Sequence, residues 1–379
     1  ASGARYLAEK SVDRMLNTVR EAFYTARQER CPVVLGVPMD LQKAPFPWGS
    51  EYSPSTELMP TPQRPAPDPV LVEKLATMIM ESSRPIILAG RGVVCSGAAP
   101  SLEALAERCG ALLATSLFAK GLFDHNRFGI GVAGAYASPL AREEFAACDL
   151  LIGVGAGLGH YTTEAGYLYP NAKTVQIDLN PRGLYQGLRI ADLHIQADAK
   201  ATAAAVLAKL AERDYTAAGG RSPMLANRIA QMAARPDTKE FLVAPGTVDP
   251  RPAMLELDAA IPKDWTVVSG GAHFAGIAVT HMYGRRAEQV HIINDFGATG
   301  SAFSCATGMA AARNDGKVLL IEGDGSLMMH IQELETIRRH GIRMLICAVN
   351  DGGYGAEVHK FRAQGYDPAE SQHGRGDIG

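Results

Sequence analysis

A chain of 379 residues, 47% hydrophobic and 20% charged, carries enough apolar material for two or three globular domains. Its formal net charge of −3 leaves no basic footprint for nucleic acid or for an anionic membrane surface. No apolar run approaches the roughly 18 residues that span a bilayer, and Ala1-Ser2-Gly3-Ala4-Arg5 has no apolar signal region. The six cysteines, Cys31, Cys95, Cys109, Cys148, Cys305 and Cys347, are scattered without a CxxC pair. Several lie in apolar runs, where a thiol behaves as a small hydrophobe, and a reducing cytoplasm is the expected setting.

In chain order, residues 1–45 begin with helical spacing (Val12, Met15, Leu16, Val19, Phe23) and end in a strand, Pro32-Val33-Val34-Leu35-Gly36-Val37-Pro38. A helix–strand pair is too small to fold alone. A Pro-rich stretch follows, read as a linker over residues 46–66. Residues 67–215 alternate apolar strand runs (85–90, 111–115, 150–155, 174–178) with helical stretches (70–81, 101–108, 139–146, 198–212). That pattern predicts an α/β domain, a parallel sheet with helices on both faces. Gly90-Arg91-Gly92-Val93 after the first of these strands is either a phosphate-binding turn or a purely structural one. A lone Gly-rich turn favours the second. Residues 216–252 read as a second linker with one helix, Met224 to Ala234, punctuated by Pro236, Pro245, Pro250 and Pro252. A second parallel-sheet α/β domain is expected over 253–379.

The chemistry concentrates in that last region. Val267-Val268-Ser269-Gly270-Gly271-Ala272-His273 is a short strand running into a Gly turn. Asp295-Phe296-Gly297-Ala298-Thr299-Gly300-Ser301-Ala302-Phe303 is rich in small residues that allow close packing against something flat. The apolar run Val318–Glu322 leads into Gly323-Asp324-Gly325-Ser326, and the run Met344–Val349 leads into Asn350-Asp351-Gly352-Gly353-Tyr354-Gly355. Two buried parallel strands would thus present Asp324 and Asn350 at their carboxyl ends, where open α/β sheets bind ligands. Both are hard oxygen ligands of the type magnesium takes beside a phosphate. Glycines at 323 and 325 let the backbone approach closely. Ser326 is expected to open a helix with Leu327, Ile331, Leu334 and Ile337 on one face, ending at Gly341, and free amides at a helix start suit an anion.

The GDG triplet, followed by Asn-Asp at this distance, resembles the thiamine diphosphate signature, in which roughly two dozen residues separate the two parts. The resemblance implies that Asp324, Asn350 and the carbonyl of Gly352 hold Mg2+, and that the metal holds the cofactor's diphosphate. It further implies cofactor contacts from Gly323, Gly325, Ser326 and Tyr354, with His273 reaching the diphosphate. Gly297 and Thr299 would lie beside the cofactor, where relatives place a bulky apolar wedge at the position of Thr299. Asp351 is expected to support the turn. The order of regions is similar to that of the acetolactate synthase and 2-oxoacid decarboxylase superfamily. There, residues 1–45 match the end of the pyrimidine-binding domain, so the activating Glu is expected upstream of Ala1, and further elements are expected beyond Gly379. Relatives that bind FAD place arginines after the third central strand; Gly155-Ala156-Gly157-Leu158-Gly159-His160-Tyr161 has none, which counts against FAD.

The activity so implied is decarboxylation or carboligation of a 2-oxo acid, in the manner of acetolactate synthase. A benzoylformate-type decarboxylase or a 2-hydroxyacyl-CoA lyase would share every motif named, and a non-catalytic cofactor-binding fragment is a third reading. The resemblance also implies a homodimer or homotetramer. The other histidines, His281, His291, His330, His340, His359 and His373, are candidate acids or bases; His330 and His340 fall on the helix after Ser326, where packing or surface roles are expected, and His359 and His373 flank a stretch whose counterpart in the family often covers the active site.

Overall fold

The computed structural model describes residues 3–47, 49, 52–61, 63–180, 190–217, 220–234, 243, 245–294 and 297–369. The chain divides into two compact units, Ala1–Arg64 and Pro65–Gly379. In the first unit, β1 (Arg5–Ala8) and β2 (Val33–Gly36) pair in parallel, joined by the helix Met15–Glu29. The expected helix–strand pair is therefore a β-α-β unit. The extra strand escaped notice because Arg5-Tyr6-Leu7-Ala8 is short and has no alternation to mark it.

The second unit holds two sheets, and every pairing described in them is parallel. The first comprises β3 (Pro85–Ala89), β4 (Leu112–Thr115), β5 (Gly129–Val132), β6 (Leu150–Val154), β7 (Lys173–Asp178) and β8 (Leu193–Gln196), in the order β5-β4-β3-β6-β7-β8. Strand order thus reverses between β3 and β6, which makes the gap above them the topological switch point. Successive side chains of a strand point to opposite faces. Ile87, Ala89, Ile152 and Val154 accordingly pack on the helices Pro69–Glu81, Ala99–Cys109 and Ala199–Glu212. Ile86, Leu88 and Leu151 pack the other way, on the helices Pro139–Ala146 and Pro223–Ala234. Strands β5 and β8 were not foreseen. Gly129-Ile130-Gly131-Val132 contains two glycines, and Leu193-His194-Ile195-Gln196 is an edge strand with polar residues.

The second sheet comprises β9 (Thr266–Ser269), β10 (Val290–Ile292), β11 (Val318–Gly323) and β12 (Leu345–Val349), in the order β10-β9-β11-β12. Its switch point lies between β9 and β11. Val267, Leu319 and Ile321 face the helices Pro250–Ala260 and His273–His281. Val268, Val318 and Leu320 face the helix Ser301–Arg313. The three-residue β10 is too short to carry a periodic signal.

One expected element changes form. The single helix after Ser326 is two: Asp324–Met329, beginning directly at the end of β11, and Glu333–Arg339. The break falls at His330, which leaves helical geometry (φ −124°, ψ 17°) with its ring pressed against Gly300. His340 caps the second helix, and Gly341 at φ +62° takes the left-handed conformation that ends it. Among the described residues no helix is long and apolar enough to cross a membrane. None of the six cysteines forms a disulfide.

Candidate functional site

The sheet register brings the two motifs together. Gly323 pairs with Val349, so Asp324 and Asn350 leave the sheet side by side. The amide of Gly352 then donates both to Asp324 Oδ2 (3.2 Å) and to Asn350 Oδ1 (3.0 Å). Two oxygens sharing one N–H are drawn to one point. Gly352 sits at φ +73°, a conformation that favours glycine. Asp324 is only 4% exposed. Gly352 meets it through its N–H.

Two rings close over the triplet. A Cβ at Gly323 would stand 2.9 Å from Phe274 Cε1, and one at Gly325 would stand 2.9 Å from Tyr354 Cε1. Glycine is needed at both positions because an aromatic ring lies against the backbone. Tyr354 itself is 41% exposed. Asp351 takes the amide of Gly353 at 3.2 Å and abuts Gly355, the first residue of the helix Gly355–Ala363, as a residue supporting the turn should.

His273 opens the helix that follows β9, and its ring lies 4.9 Å from that of His359 on the helix that follows β12. Since β11 lies between β9 and β12, the two imidazoles meet across the end of the strand that leads into Asp324. Burial, then the neighbouring His359, hold the His273 imidazole below its usual range, and Asp351 pulls the other way. The small-residue turn reaches the site through Gly300, at φ +86°, where a Cβ would stand 3.0 Å from the Ser326 carbonyl. Gly297 and Thr299 in that turn are exposed, and Ser326 is buried. Asp295 and Phe296, like His373, lie outside the described residues.

His281, His340 and His291 do not join this cluster in any contact described, whereas His330 reaches its edge with its ring against Gly300. His281 is buried, with Nδ1 3.0 Å from the Ile277 carbonyl, and His291 Nε2 is 3.0 Å from the Glu288 carbonyl. One group that the sequence analysis passed over does lie here. Glu322, counted within an apolar strand, is 1% exposed, and burial pushes its carboxyl above the usual range while Ser326 and the Gly323 amide pull the other way. A lone acid inside an otherwise apolar strand was the signal.

The donor set is an Asp carboxylate, an Asn amide oxygen and backbone groups. That suits a hard cation completed by phosphate oxygens and water. Two family models match the chain. Residues 72–206 match the thiamine pyrophosphate enzyme central domain, and residues 273–377 match the thiamine pyrophosphate enzyme C-terminal TPP binding domain. The chain belongs to the thiamine pyrophosphate enzymes. It is similar to a probable acetolactate synthase large subunit of Methanocaldococcus jannaschii, 27% identical over 388 residues, covering 96% of this chain and 62% of that protein. It is also similar to the acetolactate synthase large subunit of Haemophilus influenzae, 26% identical over 349 residues, covering 90% of this chain and 60% of that protein. For an acetolactate synthase of Mycobacterium bovis the values are 27% over 372 residues, covering 96% and 58%. The chain therefore spans about three fifths of the length of these relatives. The matched C-terminal domain contains the whole cluster from His273 to His359.

Proposed function

We propose that this chain supplies the metal- and diphosphate-binding part of a thiamine diphosphate- and magnesium-dependent enzyme that acts on a 2-oxo acid in the manner of acetolactate synthase. The observation that carries this reading is the convergence of Asp324 and Asn350 on the single amide of Gly352, at the ends of two adjacent parallel strands. In this reading Asp324, Asn350 and the Gly352 carbonyl hold Mg2+. Gly323, Gly325 and Ser326 form the floor under the diphosphate, His273 donates to it, and Tyr354, Gly297 and Thr299 flank the cofactor. Bound thiamine diphosphate supplies the electron sink for loss of carbon dioxide from the 2-oxo acid. The protein's own part is to anchor the charged end and to exclude water beneath the aromatic rings of Phe274 and Tyr354. The proposed organisation is a central domain over 67–215 and a diphosphate domain over 253–379, in a cytoplasmic homodimer or homotetramer.

A second reading on the same fold is a benzoylformate-type decarboxylase or a 2-hydroxyacyl-CoA lyase without FAD. It is favoured by the central switch point, where Gly90 and Gly92 pack backbone to backbone on Gly155 and so have a structural reason to be glycine. Product analysis with pyruvate against aromatic 2-oxo acids separates the two.

Calorimetric titration of thiamine diphosphate with magnesium tests the site itself. The expected result is magnesium-dependent binding that weakens at least about tenfold in Asp324→Ala. Binding that ignores magnesium, or equal binding by the variant, would overturn the assignment.

A further inference from the structure

Glu322 is the anomaly of the C-terminal sheet. It is 1% exposed, and among the described residues neither of its carboxylate oxygens has a hydrogen-bond partner. Ser326 and the Gly323 amide lie near enough to favour its charged form, but neither closes to hydrogen-bond geometry on it. The surrounding chain makes room for this group. A Cβ at Gly270, the first residue after β9, would collide with Glu322 Oε1 and lie 2.9 Å from Oε2. A glycine thus keeps a carboxylate-sized space open between β9 and β11, at the switch point and two residues before Asp324.

A buried carboxylate without a partner is strongly unfavourable, and an apolar side chain of similar volume would serve the fold better. Its retention calls for a donor supplied from outside the chain. Diphosphate oxygens only accept, so they cannot be that donor. Magnesium gives up its water reluctantly and keeps several molecules when the protein offers few ligands. Among the described residues no group of three or more His, Cys, Asp or Glu stands ready to hold a metal. An ion at Asp324 therefore completes its shell with phosphate oxygens and water, and those waters donate.

Building on the function proposed above, we propose that Glu322 is a positioning residue that accepts a hydrogen bond from a water of the magnesium shell. It thereby fixes the metal and its diphosphate in the crevice between β9 and β11. Gly270 is the residue that admits it. Glu322 lies outside the ligand set that the motif resemblance implies.

The test uses the full chain, with Glu322→Gln, Glu322→Met and Gly270→Ala. Stability without ligand is measured by chemical denaturation. Magnesium and, separately, calcium are then titrated in the presence of saturating thiamine diphosphate. The expected result is that Glu322→Met is more stable than the parent without ligand yet binds magnesium about tenfold or more weakly. Glu322→Gln, which keeps one acceptor oxygen, should lose less. Gly270→Ala, which displaces the carboxylate, should share the loss. Calcium should lose less than magnesium, because it exchanges water for protein oxygens more readily. Unchanged magnesium affinity in Glu322→Met overturns the inference and leaves the proposed function standing. A variant that is less stable and loses magnesium and calcium in equal proportion shows a merely structural carboxylate and also overturns it. A parent chain that binds no magnesium–thiamine diphosphate, with Asp324→Ala indistinguishable from it, removes the proposed function and this inference together.

Discussion

The two sheets of the larger unit share a topology and differ at the point where that topology reverses. In the central sheet, the first residue after β3 is Gly90; in the C-terminal sheet, the first residue after β9 is Gly270. Both face the strand across the switch point. A Cβ on Gly90 would run into the Gly155 carbonyl, and one on Gly92 would lie 2.7 Å from the Gly155 Cα. Main chain meets main chain there, tied by Gly90 N–H to Val154 O (2.8 Å) and Gly92 N–H to Gly155 O (3.0 Å). A Cβ on Gly270 would instead meet a buried carboxylate that has no hydrogen-bond partner among the described residues. Equivalent glycines thus serve packing in one domain and make room for charge in the other. Topology nominates the crevice, and the side chains at its rim decide what it can hold.

Substitutions sharpen that contrast. The largest effect is expected away from both crevices, at the buried pair Asp258–Arg285, which fastens the helix Pro250–Ala260 to the loop entering β10. Asp258 also accepts from Lys263 Nζ at 2.7 Å and from the Tyr283 amide at 3.1 Å. Asp258→Ala leaves Arg285 buried without its counter-charge and should cost about 3–5 kcal/mol by urea denaturation. Next comes Gly90→Ala, whose methyl group meets fixed backbone and should cost about 1–3 kcal/mol. Gly270→Ala should cost less, under about 1 kcal/mol, since the end of a side chain can swing aside where a carbonyl cannot. Equal losses for the two glycines would break the comparison.

The smallest effect is in pH dependence. Burial holds His273 and His291 below their usual value of 6.5. Above that value both are neutral whether the chain is folded or unfolded. Below it the unfolded chain takes up protons first, so stability should fall as pH drops from 6.5 through the lower folded values. His273→Gln should flatten part of that slope in Tm measured against pH, with His291 supplying the remainder.

The parallel α/β character of both domains was legible because long, fully buried strands such as Pro85–Ala89 and Val318–Gly323 read as unbroken apolar runs between helical stretches. Short or polar strands were not legible: β1, β5, β8 and β10 owe their pairing to neighbours already in place. The two-part motif was visible because its residues stand directly beyond strong strands. The break at His330 was not, because it depends on the ring meeting Gly300, a residue remote in sequence.

What the sequence determined by itself was therefore local. It set which runs are buried, where glycines allow close approach, and that Asp324 and Asn350 end adjacent strands one crossover apart. The tertiary structure alone decided the register that puts those two oxygens on one amide, the meeting of His273 with His359, and the burial of Glu322 against Gly270. The first depends on the β11–β12 register, and the other two on strand order across the switch point between β9 and β11. Hydrophobic periodicity does not encode that order, because every parallel arrangement of the same strands buries the same faces.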